Sequence, residues 1–479
     1  MWLSIIILTI FLATSLPHTL AAIREIPGLI HIEGAVLNMG SRMWHGESAY
    51  PDPFLDKNIS FLYGPLAPAL LGGAYLLGHK YFGHEMLAAP RIVSMSAAFL
   101  CGVAIGYFVY KRRGAAWGIW SALAWIAIQD TFASYFYLAR IDSISNLFII
   151  LSIVAGVNAA ERKRGILTAA FLISCALLCR QIAAAPWLIL CCFLAVQRRW
   201  RDAILYFTIP AAACAAALVW LDLKSNGWSS KYVFSAGMHA WALPETAAAF
   251  SRLFISPEMW FFWMLYILGL RRAPKLWTAL SAVYLIISIV HACRWAALTV
   301  SLAPGLALCV PIAAFSRAEV NDRKIVRMLA AAALLAFSAA LFFVTPPGWG
   351  SGADRGALDA KLQKGSAMLE AVRQRPGRIL VNGFQEFGIL NKQFEIDDIH
   401  SALGPDTAGD AVLEVIATKI EKKEYSAALV SPEELRTWAE SVVKVRGDTG
   451  ARLFRCADAL EKQYRRAAAG ALATVYEPI

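Results

Sequence analysis

The chain has 479 residues, of which 58% are hydrophobic and only 16% charged, with a mean hydropathy of +0.53 and a formal net charge of +11. These proportions exclude a soluble cytosolic enzyme, a disordered chain and a small disulfide scaffold, because too few polar residues remain to clothe soluble domains of this length. Of the nine cysteines, Cys101, Cys175, Cys179, Cys191, Cys192, Cys214, Cys293 and Cys309 fall inside or at the ends of apolar stretches and read as small core residues. Cys456 stands alone in the polar C-terminal part, which therefore holds no internal disulfide.

A helix needs roughly 20 apolar residues to cross about 30 Å of hydrocarbon. Eleven candidate spans are centred near Phe11, Cys101, Ala124, Ile150, Ile173, Leu188, Ala212, Phe262, Leu285, Ala307 and Ala336. Basic clusters at Lys111 to Arg113, Arg162 to Arg164, Arg198 to Arg201, Arg271 to Lys275 and Arg317 to Arg327 follow every second span, the alternation expected when cytoplasmic loops collect Lys and Arg. Residues 1–345 hold 27 Lys+Arg against 15 Asp+Glu, and those five loops carry 16 of the bases. The net charge is thus an orientation signal and not a nucleic-acid footprint. The N-terminus and the five clusters are expected on the cytoplasmic side. The first outer loop, 22–87, then lies outside with 222–256 and everything after about Thr345. The parity holds if the apolar run Leu62 to Leu77 does not cross, so a helix lying at the outer interface or dipping in and returning is expected there, consistent with Gly64, Pro65, Pro68, Gly72 and Gly73. Small residues at Thr19 to Ala22 leave a cleaved signal peptide as the alternative for the first span, although a basic n-region is lacking.

From Pro346 the composition shifts to 18 Lys+Arg and 19 Asp+Glu. Short β-rich runs at Arg378 to Val381, Ala427 to Val430 and Leu472 to Tyr476 alternate with helical patterns at Ala411 to Glu424 and Pro432 to Val443. The expected fold class is a polytopic α-helical membrane protein of about 11 transmembrane helices (1–345) with a small C-terminal α/β extracytoplasmic domain (346–479). No phosphate loop, HExxH or CxxC pattern occurs in that domain.

An ionisable group at a span's centre costs on the order of 2.5 to 3.5 kcal/mol on insertion scales, so the few near the membrane call for a reason. On the outer side these are Glu33, with His31 two residues earlier, and Asp142 with Arg140; Arg91, Arg180, His291 and Arg294 stand at span ends on the same side. Such a set suits a reaction in which an anionic lipid phosphate leaves and an alcohol attacks. A carboxylate takes the acceptor's proton, arginines neutralise the departing phosphate, and a second carboxylate orients the first or holds a divalent cation. Each residue also has a bland account: the arginines snorkel to head groups, Glu33 is a solvated loop acid, and Asp142 complements a helix dipole. His79 and His84, five apart, fall on different helix faces and read as solvated interface residues, and Trp44, Trp241, Trp260 and Trp263 read as interfacial belts.

The loop EGAVLNMGSRMWHGESAYPDPF from Glu33, followed by NISFLYGPLAPALLGGAYLLG, resembles the first outer loop of the GT-C glycosyltransferases, particularly the bacterial branch related to protein O-mannosyltransferases and lipid A aminoarabinose transferases. Tyr63, Gly64 and Pro65 match that family's Tyr-Gly-Pro, ARIDSISNLFIILSI resembles its Ala-Arg-Pro-Asp segment with Asp142 at the second acid, and Arg91, CRQIAAAP at Cys179 and Arg294 before SLAPGLAL resemble its basic positions. Ile32 stands where an acid often precedes the Glu33 position, and Ile141 where proline is common. The resemblance implies sugar transfer from a polyprenyl-phosphate donor to a lipid, glycan or protein acceptor at the outer membrane interface. It implies Glu33 as base with Asp142 as its partner, and Arg180 or Arg294 on the phosphate, with Arg91, Arg140 and Tyr63 also on the donor. A divalent cation (Mg2+ or Mn2+) on His31, Glu33 and Asp142 is left open. The competing reading is a polytopic lipid or sugar transporter or flippase, whose repeated halves and midplane helix breaks are not evident here.

Overall fold

The computed structural model describes residues 1–24, 31–50, 64–82, 87–132, 138–162, 165–230, 243–293, 302–316 and 324–344, and in the C-terminal part 377–381, 394–398, 407–425, 427–428, 430, 432–443, 447–469 and 474–478. The chain divides into two compact units: residues 1–23, 91–216 and 241–351 form the first, and 24–90, 217–240 and 352–479 the second.

The first unit is helical. It is built from α1 (Trp2–Arg24), α4 (Ala88–Arg113), α5 (Ala115–Phe132), α6 (Ile141–Arg162), α7 (Ile166–Cys179), α8 (Ala184–Val196), α9 (Trp200–Ser225), α10 (Leu243–Phe250), α11 (Pro257–Leu270), α12 (Lys275–Ala292), α13 (Ala303–Ala314) and α14 (Lys324–Val344), the first, fourth and ninth running into the other unit at one end. Every expected span centre falls on one of these helices. Length and composition alone qualify five helices to cross a bilayer, or six if the pair Thr246–Ile255 and Pro257–Leu270, bent by 68°, is one span. Helices α7, α8 and α13 have 14, 13 and 12 residues, so each rises only ~18 to 21 Å against a hydrocarbon layer of about 30 Å.

Backbone geometry and small residues set the packing. Gly114 (φ 89°) and Gly165 (φ 87°) adopt the left-handed conformation that turns α4 into α5 and α6 into α7. A Cβ on Gly106 would lie 2.8 Å from the Gly118 carbonyl oxygen, and one on Gly269 would lie 1.8 Å from that of Ile312. The α4/α5 and α11/α13 contacts are thus backbone against backbone, the mode by which helices gain dispersion energy where no hydrophobic effect operates between them. Polar groups inside the bundle tie elements together. Ser4 Oγ lies 2.5 Å from Ser338 Oγ, Trp120 Nε1 donates to Ser4 Oγ (3.1 Å) and Ser15 donates to Asp130 (2.9 Å), which fastens α1 to α5 and α14. Trp277 Nε1 donates to the Leu308 carbonyl across α12 and α13 at 2.8 Å, since a buried indole N–H has no water to turn to.

The ends bearing the basic clusters have their own bonding. Arg112 reaches Asn158 (3.3 Å) and Glu161 (2.5 Å), while Arg199 donates to the carbonyls of Ala159 and Ala160 (3.0 and 2.7 Å) and pairs with Asp202. Arg199 thereby caps the C-terminal end of α6, where cations and donors are favoured.

In the second unit, α2 (His31–Trp44) packs on α3 (Leu66–Phe82). The apolar run expected from Leu62 begins its helix at Leu66, and 62–63 lie outside the described residues. The crossing is made at glycine: a Cβ on Gly40 would sit 2.0 Å from the Pro68 carbonyl oxygen, and one on Gly72 2.5 Å from the Gly40 Cα. Trp44 Nε1 donates to the Ala69 carbonyl at 2.8 Å. The C-terminal part holds β1 (Gly377–Val381), β2 (Phe394–Asp398), α15 (Thr407–Glu421), β3 (Ala427–Ala428), α16 (Pro432–Val443), α17 (Gly447–Gln463), β4 (Tyr464–Ala469) and β5 (Thr474–Pro478). The sheet order is β2-β1-β3-β5-β4, with β1 parallel to β2 and β3, and β5 antiparallel to β3 and β4. Cys456 on α17 is fully buried, and burial pushes its thiol up to about 12, so it is an inert core side chain.

Because the obstructing atoms at Gly40 are backbone, Gly40→Ala is expected to lower stability by about 1 to 3 kcal/mol, the usual range for overpacking. A thermal melt of the purified variant with the melting temperature of wild type would contradict the tight α2/α3 crossing.

Candidate functional site

Among the described residues, seven charged side chains are buried: Glu33, Arg91, Asp130, Arg140, Asp142, Arg180 and Glu258. Three of them meet in the first unit. Asp142, in the first turn of α6, accepts from Arg140 Nε at 3.0 Å through Oδ2 and from Arg180 Nη1 at 2.7 Å through Oδ1. Arg180 Nη2 in turn lies 3.0 Å from His291 Nε2, at the end of α12. The cluster joins α6, the α7–α8 break and α12 at helix ends opposite those that carry the basic loops.

Local backbone explains the convergence. Arg180 ends α7 in an extended conformation (φ −158°, ψ 133°), its N–H still bonded to the Ala176 carbonyl at 2.9 Å and its own carbonyl accepting from Ala183 at 3.1 Å. A short 3-10 turn, Gln181–Ala183, then leads into α8. The helical path is broken at one residue, which directs the guanidinium sideways toward Asp142. Arg180 is 5% exposed, and an unpaired cation buried among apolar helices is costly. On the α4 side, Ser94 Oγ donates to the Arg140 carbonyl at 3.3 Å. Arg91, one helical turn earlier, is completely buried, so it belongs to the same end of the unit.

Both oxygens of Asp142 are engaged by arginine, an environment that competes with a metal ion, and among the described residues no group of three or more His, Cys, Asp or Glu is gathered as a metal would require. The expected residues distribute as follows. Asp142, Arg140 and Arg180 come together, with Arg91 at the same end. Glu33 is buried (3% exposed) in the first turn of α2 in the second unit. His31 opens α2, but its side chain, like Tyr63 and Arg294, lies outside the described residues.

Three residues escaped the site assignment made from sequence. His291 was placed on the correct side but not joined to Arg180, because a spacing of 111 residues carries no pairing signal. Asp130 and Glu258 are buried acids at the ends of α5 and α11. Their legible signal was a lone acid at the end of an otherwise apolar run, the same one that flagged Asp142. Glu258 Oε2 has no hydrogen-bond partner.

No protein-family profile matches the chain, and no curated protein matches its sequence. Solved structures do match in fold. ArnT of Cupriavidus metallidurans in the apo state aligns over 98% of this chain and 97% of its own with a TM-score of 0.60 at 11% identity. The same protein bound to undecaprenyl phosphate aligns over 98% of both chains at 0.58 and 12%. The oligosaccharyltransferase AglB of Archaeoglobus fulgidus, in complex with an inhibitory peptide and a dolichol-phosphate, aligns over 99% of this chain and 74% of its own at 0.58 and 9%. The chain thus has the membrane fold that ArnT and AglB share. It is a multi-pass membrane protein of helical architecture.

Removing one member of a buried charge triad leaves the others uncompensated, which typically costs about 3 to 5 kcal/mol. Asp142→Asn is therefore expected to destabilise strongly and Arg180→Gln less. The double variant should be at least ~1 kcal/mol more stable than the sum of the two losses implies. Strict additivity in a thermal double-mutant cycle would mean that the two side chains do not interact.

Proposed function

We propose that this protein is a glycosyltransferase that moves a sugar from a polyprenyl-phosphate donor to a lipid, glycan or protein acceptor at the outer face of the plasma membrane. The observation that carries the reading is the buried Asp142, Arg140 and Arg180 cluster, held at the helix ends opposite the basic loops of a chain that shares the membrane fold of ArnT. Undecaprenyl phosphate in ArnT and dolichol-phosphate in AglB support the class of donor, and the acceptor peptide tethered to the archaeal enzyme supports a polar acceptor. In the proposed arrangement the eleven helical runs all cross, residues 346–479 form an extracytoplasmic α/β domain, and the N-terminus is cytoplasmic.

The chemistry follows from charge. The acceptor hydroxyl oxygen attacks the anomeric carbon, the bond from that carbon to the phosphate oxygen breaks, and the acceptor's proton passes to a carboxylate, for which Glu33 is the proposed base. The donor's phosphate carries one negative charge as a diester and gains a second as the prenyl monophosphate leaves. Guanidinium groups held in place beside the phosphate therefore stabilise the transition state more than the ground state, which is the requirement for catalysis. Arg180 is the proposed phosphate ligand, with Arg91, Arg140, Arg294 and Tyr63 on the donor, and Asp142 fixes the direction of Arg180. The transition state has oxocarbenium character, so placement at the anomeric carbon outweighs nucleophile strength. Zinc is bound in one structure of the archaeal enzyme. The double arginine pairing of Asp142 does not suit a cation here, and no step is assigned to one.

The test is incubation of the purified protein with a panel of polyprenyl-phosphate sugars and measurement of released prenyl phosphate. Glu33→Gln should lower the rate at least ~10²-fold, the smaller end of general-base contributions, while lipid phosphate binding survives. Transport of intact lipid without bond cleavage would instead support the flippase reading. Orientation is checked separately: a C-terminal alkaline phosphatase fusion is expected to be active, and an inactive fusion with a fluorescent GFP counterpart would reverse the topology.

A further inference from the structure

We propose that His291 is a positioning residue for Arg180, acting through a neutral imidazole whose Nε2 accepts from the guanidinium; this rests on the reading of Arg180 as a lipid-phosphate ligand. A guanidinium carries only N–H groups, so the 3.0 Å contact between Arg180 Nη2 and His291 Nε2 is a hydrogen bond only when that nitrogen offers a lone pair. The ring proton is then on Nδ1. Asp142 holds Arg180 through Nη1 at 2.7 Å and His291 holds it through Nη2, so the plane of the guanidinium is fixed from two sides by residues of two different helices. The loop end of α12 is itself fastened, Thr246 of α10 donating to the Cys293 carbonyl at 3.4 Å.

The experiment measures undecaprenyl phosphate binding to the full-length protein in nanodiscs at pH 8 for wild type, His291→Gln and His291→Phe. Glutamine can place an amide oxygen where Nε2 lies and so keeps the acceptor, whereas phenylalanine removes it. His291→Gln should bind like wild type and His291→Phe several-fold more weakly. Wild-type affinity in His291→Phe, or a loss in His291→Gln as large as that in His291→Phe, would overturn the role of His291 while leaving the donor reading intact. Failure of wild type to bind at pH 8 would overturn the donor reading and this proposal with it.

Discussion

The structure of the first unit depends on how a membrane protein keeps two guanidinium groups buried. Arg140 and Arg180 are each about 5% exposed, and desolvating an ion costs several kcal/mol unless partners restore what water supplied. Asp142 provides that compensation, one oxygen to each arginine. A lone arginine would be costly to bury inside such a bundle, so the pairing with Asp142 is what lets both guanidinium groups stand there.

A break between two short helices brings this charge to Asp142. Fourteen residues in α7 and thirteen in α8 make each shorter than the roughly 20 residues of a full span. The extended backbone at Arg180 is what allows this, because a helical residue there would keep α7 rising and carry the side chain past Asp142.

The membrane class and the helical positions were legible because hydrocarbon thickness imposes a length on apolar runs and because Lys and Arg clusters follow a two-span rhythm. Lengths were less legible. The apolar runs around Ile173 and Leu188 read as ordinary spans, whereas the structure ends each helix early, since hydropathy averaged over a window does not register a one-residue change of backbone at Arg180. Asp142, Arg140 and Arg180 were legible as expensive charges at span ends, and burial then separated them from snorkelling residues such as those of the basic loops. The pairing of Arg180 with His291 was not legible, for it depends on α12 packing beside α8, a contact between segments more than 70 residues apart. Nor was the Gly40–Gly72 crossing read as such: the glycines were noted as helix breakers, but in α2 and α3 they remove Cβ atoms where two backbones touch.

The two ends of the helical unit use the same residue type differently, and this bears on transport against transfer. At the end with the basic loops, Arg112 and Arg199 are bonded to Asn158, Glu161, Asp202 and the last carbonyls of α6, so their charge is spent on closing helix termini. At the other end Arg140 and Arg180 both bond to Asp142. An alternating-access carrier needs a site that either side can reach, near the midplane and between repeats. The described charges instead build one site near one face and helix caps at the other. That asymmetry favours a protein that receives its lipid phosphate from one leaflet, holds it there and changes a bond, over one that passes it across.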